Sequence, residues 1–274
     1  GSSNSLSVQG STTGVASNAT GIRNSAYTFD GSTGYLRQAT IAMNIGSLSY
    51  SGSTFTDDGQ TFTPYKSGNP ATHIIVITNS DNTTSWGYIG TGGVATLINV
   101  YTTKAEGVLG WNGTSPTGKT PVGYEVRKSD YQITGSMSVG AWIKTATTGK
   151  RIISKYDPSL NSFDFSIGVW TTDHKINFNV AGSHVAVGAT TVDNNAWHFV
   201  TGVVSGTDVY VYVDGVLDGS TTTTVPQDNL QPINIGLSPA NSTGFFNGSI
   251  DEPFVTTEVL TAAQIFEMYN SGRN

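Results

Sequence analysis

The chain has 274 residues, a net charge of -6, only 12% charged residues and no cysteine. An acidic, sparsely charged chain offers no basic stripe to phosphates, so nucleic acid is excluded as a partner. No run approaches the ~20 apolar residues of a membrane-spanning helix, which excludes membrane insertion, and the absence of cysteine removes thiol catalysis and cysteine-ligated zinc.

Residues 1–22 read as a polar lead-in, or as the edge of a larger protein. The stretch AYTFDGSTGYL, from Ala26 to Leu36, then reads as strand, turn, strand. Residues 41–130 carry THIIVITNSDN, SWGYIG, ATLINVYTT, GVLGWNG and VGYEVRK, strand-like runs separated by glycine-rich turns. That density of strands predicts a small β-subdomain. Within it FTDDGQTF (55–62) and NSDNTTSW (79–86) resemble the Asp-box turn, but ninety residues cannot hold several four-stranded propeller blades. Their Asp and Asn residues are read as hairpin stabilisers.

From Ser136 onward the strands follow closely: SMSVGAWIK, RIISKY, FDFSIGVW, KINFNVAG, HVAVGATTV, WHFVTGVV, DVYVYVDGVLDGS, PINIGL and FNGSIDEPFV. Short alternating runs bounded by Gly, Asn, Asp or Pro predict an antiparallel sandwich. Asp214-Gly215 predicts a two-residue hairpin turn with positive φ at both residues. The chain ends in one predicted helix. Thr261 is its N-cap, Gln264 completes a capping box, Leu260 and Ile265 form the staple, and Gly272 stops it.

The series FDGSTGYL, SVGAWIK, IISKYD, INFNV, AWHFVTGVV, VYVYVDGVLDGS, INIGL, FNGSIDEPFV and LTAAQIFEMYNSG resembles the laminin-G-like, concanavalin A-like jelly-roll family. The resemblance implies an all-β jelly-roll sandwich built from residues 23–40 and 131–274, with a short C-terminal helix. It also implies that the FDGS strand lies beside the AWIK strand, so residues 41–130 are read as an inserted β-rich subdomain. Pro253 departs from the family pattern, and a residue without a backbone donor predicts an edge strand or a bulge at that point.

In similar domains a structural Ca²⁺ pins the FDG turn to the last strand. The matching positions are Asp30 and Asp251, with Gly31 or Asn247 nearby. The alternative makes Asp30 a turn residue and Asp251 a strand cap. The histidines, His73, His174, His184 and His198, show no ligand spacing. Asn-x-Ser/Thr sequons occur at Asn18, Asn82, Asn112, Asn241 and Asn247, as chance allows in such a composition.

Catalysis on a polysaccharide needs two carboxylates flanking the scissile bond. The hydrolase motif resembling Glu-x-Asp-x-x-Glu has Ser249 at its first acid position here, and the neighbours Asp251 and Glu252 point to opposite faces unless a bulge intervenes. A non-catalytic domain is therefore expected. Sugar recognition needs an aromatic platform and planar amides. Strand alternation places Trp170 with Asp164 and Ser166, sets Tyr210 and Tyr212 opposite Val209, Val211 and Val213, and sets Asn177 and Asn179 opposite Ile176, Phe178 and Val180. Trp170, Tyr210, Tyr212, Asn177 and Asn179 are the candidate ligand residues on one open face. The alternative is that the insert or the helix covers that face. Trp142 and Trp197 are assigned to the core. These readings imply a lectin-like module binding a glycan or a cell or particle surface, outside a cell or on a virion. Competing with it are an assembly or adhesion component without a sugar site, with oligomer formation through the insert, and a polysaccharide hydrolase or lyase.

Overall fold

The structure, a computed structural model, describes residues 6–10, 15–20, 22, 25–32, 34–38, 46–66, 71, 73–102, 106–128, 133, 135–157, 160–168, 173–182, 184–224, 232–237 and 244–272. The chain divides into two compact units, one of Gly1–Gln38 with Ile133–Asn274, the other of Ala39–Gln132.

The first unit opens with β1 (Leu6–Gly10), β2 (Val15–Thr20), β3 (Ser25–Asp30) and β4 (Gly34–Gln38). The residues read as a lead-in thus supply two strands, β1 pairing with β4 and β2 with β3. Ser, Thr and Asn carry no apolar signal, yet they suit strands that add to existing edges, where backbone hydrogen bonds supply the stability.

The second unit contains β5 (Leu48–Ser51), β6 (Thr54–Asp57), β7 (His73–Asn79), β8 (Thr84–Ile89), β9 (Leu97–Tyr101), β10 (Asn112–Gly113) and β11 (Pro121–Lys128). They form one antiparallel sheet in the order β11-β7-β8-β9-β6-β5, with β10 added to β8. Phe55, Phe62, Ile75, Ile77, Ile89, Ile98, Val100 and Val126 make its core. Asp57 is buried within this unit and accepts from Gly46 N at 2.8 Å, Gly59 N at 2.9 Å and the Tyr124 hydroxyl at 2.6 Å. Burial first, then the Asp57 carboxylate, pushes the Tyr124 phenol well above its usual value. In the second Asp-box-like segment Asn79 accepts from the Tyr50 hydroxyl at 2.7 Å, and Asn82 turns the hairpin with φ 62°. The second segment turns the β7–β8 hairpin as its turn chemistry predicts, whereas the first follows β6 as a turn braced by Asp57 and leads into a 3-10 helix, not into a paired strand.

Returning to the first unit, the chain runs through β12 (Met137–Thr145), β13 (Lys150–Asp157), β14 (Leu160–Ile167), β15 (Lys175–Val180), β16 (His184–Thr191), β17 (Trp197–Ser205), β18 (Asp208–Val213), β19 (Val216–Thr222), β20 (Asn234–Ile235) and β21 (Asn247–Thr256), then α1 (Ala262–Gly272). Two seven-stranded antiparallel sheets result: β1-β4-β20-β13-β14-β15-β16 and β19-β18-β17-β12-β21-β3-β2. The strand predicted from FDGS reaches the AWIK strand through β21, which lies between β3 and β12. The fold of this unit is an all-β sandwich closed by one C-terminal helix.

The faces follow the alternation of each strand. Phe163, Phe165 and Ile167 on β14 and Ile176, Phe178 and Val180 on β15 are buried. They meet the other sheet so closely that a Cβ on Gly202 would stand 2.6 Å from the Phe178 ring. Only glycine lets the sheets approach there.

β21 is an interior strand, not an edge, and it is bulged. Gly140 pairs with Phe254 while Trp142 pairs with Asp251, so one residue of β12 faces the two residues Glu252 and Pro253. Glu252 takes φ 46°, and the extra residue puts the proline where no ladder donor is required. The Asp214-Gly215 turn has φ values of 52° and 81°, as two-residue hairpins with this twist require.

The helix begins as its capping box specifies. Gln264 Oε1 accepts from Thr261 N at 2.8 Å, and Thr261 Oγ1 accepts from Gln264 N at 3.3 Å. Ile265 is buried against Trp142, Phe199, Val203 and Tyr212, with Leu260, Met268 and Tyr269 packed around them. Gly272 both ends the helix and makes room, since a Cβ there would lie 2.6 Å from the Trp142 ring.

Candidate functional site

The two outer faces of the sandwich differ in chemistry. On the β12-side sheet the outward residues are aromatic and are covered by α1. Trp142 stacks on Tyr269 with centroids 5.6 Å apart, and Tyr210 and Trp197 pack at the margin of the same cluster. Tyr210 and Tyr212 therefore do not line a sugar face with the asparagines. They belong to the opposite sheet and are covered by the helix, which corrects the expectation of one shared open face. Alternation assigns each tyrosine to a face correctly, but it cannot say which layer closes over that face.

On the other sheet the outward residues are polar. The register brings Asn234 of β20 beside Ser154 of β13, Ser154 beside Asp164 of β14, and Asp164 beside Asn179 of β15. A second row runs parallel to it, from Arg151 through Ser166 to Asn177. Cross-strand partners share a face, so the two rows form one polar lattice across four strands. On the edge strand β16 the rows end at Val185 and Val187, both half-buried.

This lattice is shielded from water. Asp164, Ser166 and Asn177 are 0% exposed and Asn179 is 1% exposed, so the face is not open as the alternation alone suggested. Arg151 Nε donates to Asp164 Oδ2 at 2.7 Å, and both side chains are buried. Ser154 Oγ donates to Leu237 O at 2.7 Å, and Asn234 Nδ2 to Pro232 O at 2.8 Å. Three buried atoms of the lattice make no hydrogen bond: Ser166 Oγ, Asn179 Nδ2 and Asn234 Oδ1. A buried polar group left unpaired costs about 1–3 kcal/mol.

Of the sequence-derived residues, Asn177 and Asn179 lie together in this lattice with Asp164 and Ser166, which alternation also placed there. Trp170 lies outside the described residues. Arg151, Ser154 and Asn234 were missed. Their signal is hidden because the β13 register shifts between Arg151 and Ile153, breaking the alternation that would have put Arg151 and Ser154 on one face.

The residues proposed for calcium lie on β3, on the turn that follows it, and on β21. Asn247 pairs with Asp30, and a Cβ on Gly31 would lie 2.7 Å from the Asn247 side chain, so these three are neighbours. Asp251 follows Asn247 by four residues of strand, about 13 Å at the usual rise. Its carboxylate is turned to the backbone, Oδ2 accepting from Ile22 N at 2.7 Å and Oδ1 from Glu252 N at 2.9 Å. Asp30 Oδ1 accepts from Ser32 N at 2.9 Å, closing a turn. Asp30 and Asp251 each accept from nearby backbone N–H groups. Among the described residues no group of three or more His, Asp or Glu stands ready for a metal. His198 is a structural brace, its Nδ1 2.9 Å from Asp214 and its Nε2 3.1 Å from Asn194.

Among the described residues, open clefts lie away from the polar lattice. One of about 230 Å³, at one end of the sandwich, is lined by Lys144, Thr145, Thr147, Asn195, Asn247 and Ser249. The other, of about 400 Å³ in the second unit, is lined by Leu48, Tyr50, Pro116, Lys119 and Pro121 among others. In the sandwich-end cleft the Thr145 hydroxyl is already committed to Asn247 O at 2.5 Å.

The laminin-G-like profile described as the concanavalin A-like lectin/glucanases superfamily matches residues 122–266, from within β11 to the middle of α1. No curated protein matches the chain. Similar solved structures include the heptameric SAP-like pentraxin from Limulus polyphemus, at 18% identity, covering 51% of this chain and 73% of that one, with a TM-score of 0.39. Domain 4 of AbnA, an extracellular GH43 arabinanase from Geobacillus stearothermophilus solved with arabinotriose, is 17% identical, covers 82% of this chain and 100% of that one, and has a TM-score of 0.43. The Ruminococcus gnavus IT-sialidase CBM40 is 13% identical over 50% of this chain and 83% of that one, with a TM-score of 0.40. Similarity at this level does not extend those proteins' ligands to this chain.

Proposed function

The chain belongs to the concanavalin A-like lectin/glucanases superfamily, and from that premise we propose that it is a non-catalytic carbohydrate-recognition module displayed outside a cell or on a virion surface. The observation that carries the reading is the row of amides and hydroxyls on one sheet face, in which Ser166 Oγ, Asn179 Nδ2 and Asn234 Oδ1 have the donor and acceptor chemistry that sugar hydroxyls satisfy. The glucanase alternative is disfavoured by the acids. Asp164 is the only carboxylate among the described side chains of the two rows, and Asp251 is spent on two backbone N–H groups. A hydrolase needs two carboxylates about 5–9 Å apart across a cleft.

The second unit is read as an insertion between β4 and β12. A glycan array probed with the intact protein and with the Asn177→Ala/Asn179→Ala variant tests the reading, with reducing-sugar release as the assay for catalysis. We expect the wild type to retain saccharides without releasing reducing ends, and the variant to lose at least about tenfold in affinity, the worth of one or two hydrogen bonds. Absence of any saccharide binding, or binding unchanged in the variant, sinks the proposal and leaves an assembly role.

A further inference from the structure

The turn between β16 and β17 is gripped by two histidines that come from different strands. His174, just ahead of β15, holds its Nδ1 2.6 Å from the Asp193 carboxylate, and its backbone O accepts from Val192 N at 3.0 Å. His198, on β17, reaches Asn194 of the same turn with Nε2 and Asp214 of the β18–β19 hairpin with Nδ1. The turn also forms one wall of the sandwich-end cleft through Asn195, whose N–H donates to Thr145 O at 2.8 Å and whose φ is 62°.

The partners of His198 decide how many protons its ring carries. Asn194 Oδ1 accepts from Ala196 N at 2.9 Å, so a backbone donor identifies that atom of the amide as the oxygen. The same oxygen stands 3.1 Å from His198 Nε2, and a carbonyl oxygen can only accept. On the other side of the ring, Asp214 Oδ1 accepts from Phe199 N at 2.9 Å while Oδ2 stands 2.9 Å from His198 Nδ1. An ionised carboxylate has no proton to give. Both ring nitrogens therefore face acceptors, whereas a neutral imidazole has one N–H to offer. We propose that His198 is an imidazolium that clasps the β16–β17 turn to the Asp214 hairpin, and that surrender of one ring proton to water releases the turn and the cleft wall it forms. The clasp operates whatever the sandwich binds. His174 differs, because its side chain is 63% exposed and engages the turn through Nδ1, which the neutral ring protonates as well as the charged one does.

The charged groups around the ring are few. Asp214 faces it from the hairpin, and Asp193 adjoins Asn194 but is taken up by His174. Lys175 opens β15 and pairs with Thr191 at the foot of the turn. His198 pairs with Ile143, so Lys144 of β12 and Asp251, the partner of Trp142, belong to the opposite face of the sheet. That opposite face is the one covered by α1, which carries Glu267 and Tyr269. A ring protonated in the fold adds stability that is fully present below the histidine value of the unfolded chain, about 6.5, and that is lost as rising pH strips the folded ring of its second proton.

The test combines ring ¹⁵N spectra with amide hydrogen exchange of the whole chain, each exchange rate corrected for its intrinsic pH dependence. At about pH 7, where a free histidine is largely neutral, His198 should show two protonated ring nitrogens. Protection of the Asn195 amide should fall at least about tenfold between about pH 6 and about pH 8.5, the worth of one hydrogen bond to a charged group. His198→Gln should abolish that pH dependence, and His174→Gln should keep it. Asn194→Ala, at an exposed position, removes the Nε2 acceptor alone and should also abolish it, so the test stands even where His198→Gln does not fold. A single ring proton on His198 at about pH 7 overturns the proposal. So does a pH dependence that persists in His198→Gln or Asn194→Ala, or one that disappears in His174→Gln.

Discussion

The two outer faces of the sandwich are built on sheets of equal strand number, yet they resolve the same problem in opposite ways. The β12-side face presents Trp142, Phe199, Val203 and Tyr212 and closes over them with α1. The β14-side face presents Arg151, Asp164, Asn177 and Asn179, with Ser166 Oγ and Asn179 Nδ2 buried and making no hydrogen bond. A face that is to be covered permanently by its own chain gains from apolar side chains, because each buried aromatic contributes stability through area and contact. A face that holds desolvated amides and an ion pair gives up stability, and such groups are commonly kept for recognition or specificity. Unpaired buried polar atoms occur on both sheets, Trp142 Nε1 and Thr201 Oγ1 among them, so the difference between the faces is the apolar, helix-covered character of one against the amides, hydroxyls and ion pair of the other.

The sharpest way to break this comparison is to empty the helix-covered face. Trp142→Ala removes an indole that is 2% exposed and stacked on Tyr269, and should cost about 3–5 kcal/mol in chemical denaturation. Saccharide binding by whatever fraction remains folded should be unchanged. If binding fell while stability held, the two faces would have been assigned the wrong way round.

A smaller effect is expected where the last strand holds the start of the sandwich. Asp251→Ala leaves the Ile22 and Glu252 N–H groups without their carboxylate acceptor and should lower stability by about 1–3 kcal/mol. Added Ca²⁺ should not rescue it, because the lost interaction is to backbone N–H. Rescue by calcium, read as a restored melting temperature, would reinstate an ion at Asp251.

The smallest effect is the most discriminating. Asn179→Leu replaces a buried amide whose Nδ2 has no partner by a group of similar size. Its stability should stay within about 1 kcal/mol of wild type or rise, as buried polar groups replaced by apolar isosteres often do, while saccharide affinity falls. A large loss of stability would show that the lattice is held for packing and not for a ligand.

Much of this was legible in the sequence. The jelly-roll strands from Met137 onward, the Asp214-Gly215 turn and the Thr261 capping box are local: each depends on a few neighbouring residues with strong φ/ψ or side-chain preferences. The same holds for the disturbance at Pro253, which a missing donor makes unavoidable. Asn177 and Asn179 could be put on one polar face because alternation has a period of two on any strand.

What lay beyond the sequence was everything that depends on a second strand or a second layer. That β1 and β2 join the sheets could not be read from SVQG or ASNAT, because an added edge strand is stabilised by the backbone of its neighbour more than by its own side chains. That Arg151 and Asn234 belong with Asn179 depends on registers between strands far apart in the chain, one of them shifted by a bulge. That Asp251 meets Ile22 and not Asp30 depends on how far each strand slides past the next. The fate of Tyr210 and Tyr212 depends on which face α1 covers. Local preference fixes strands, turns and the sidedness of each residue, since those energies act within a few residues. Register and layering are set by the summed burial and pairing of distant segments, and only the tertiary structure carries that sum.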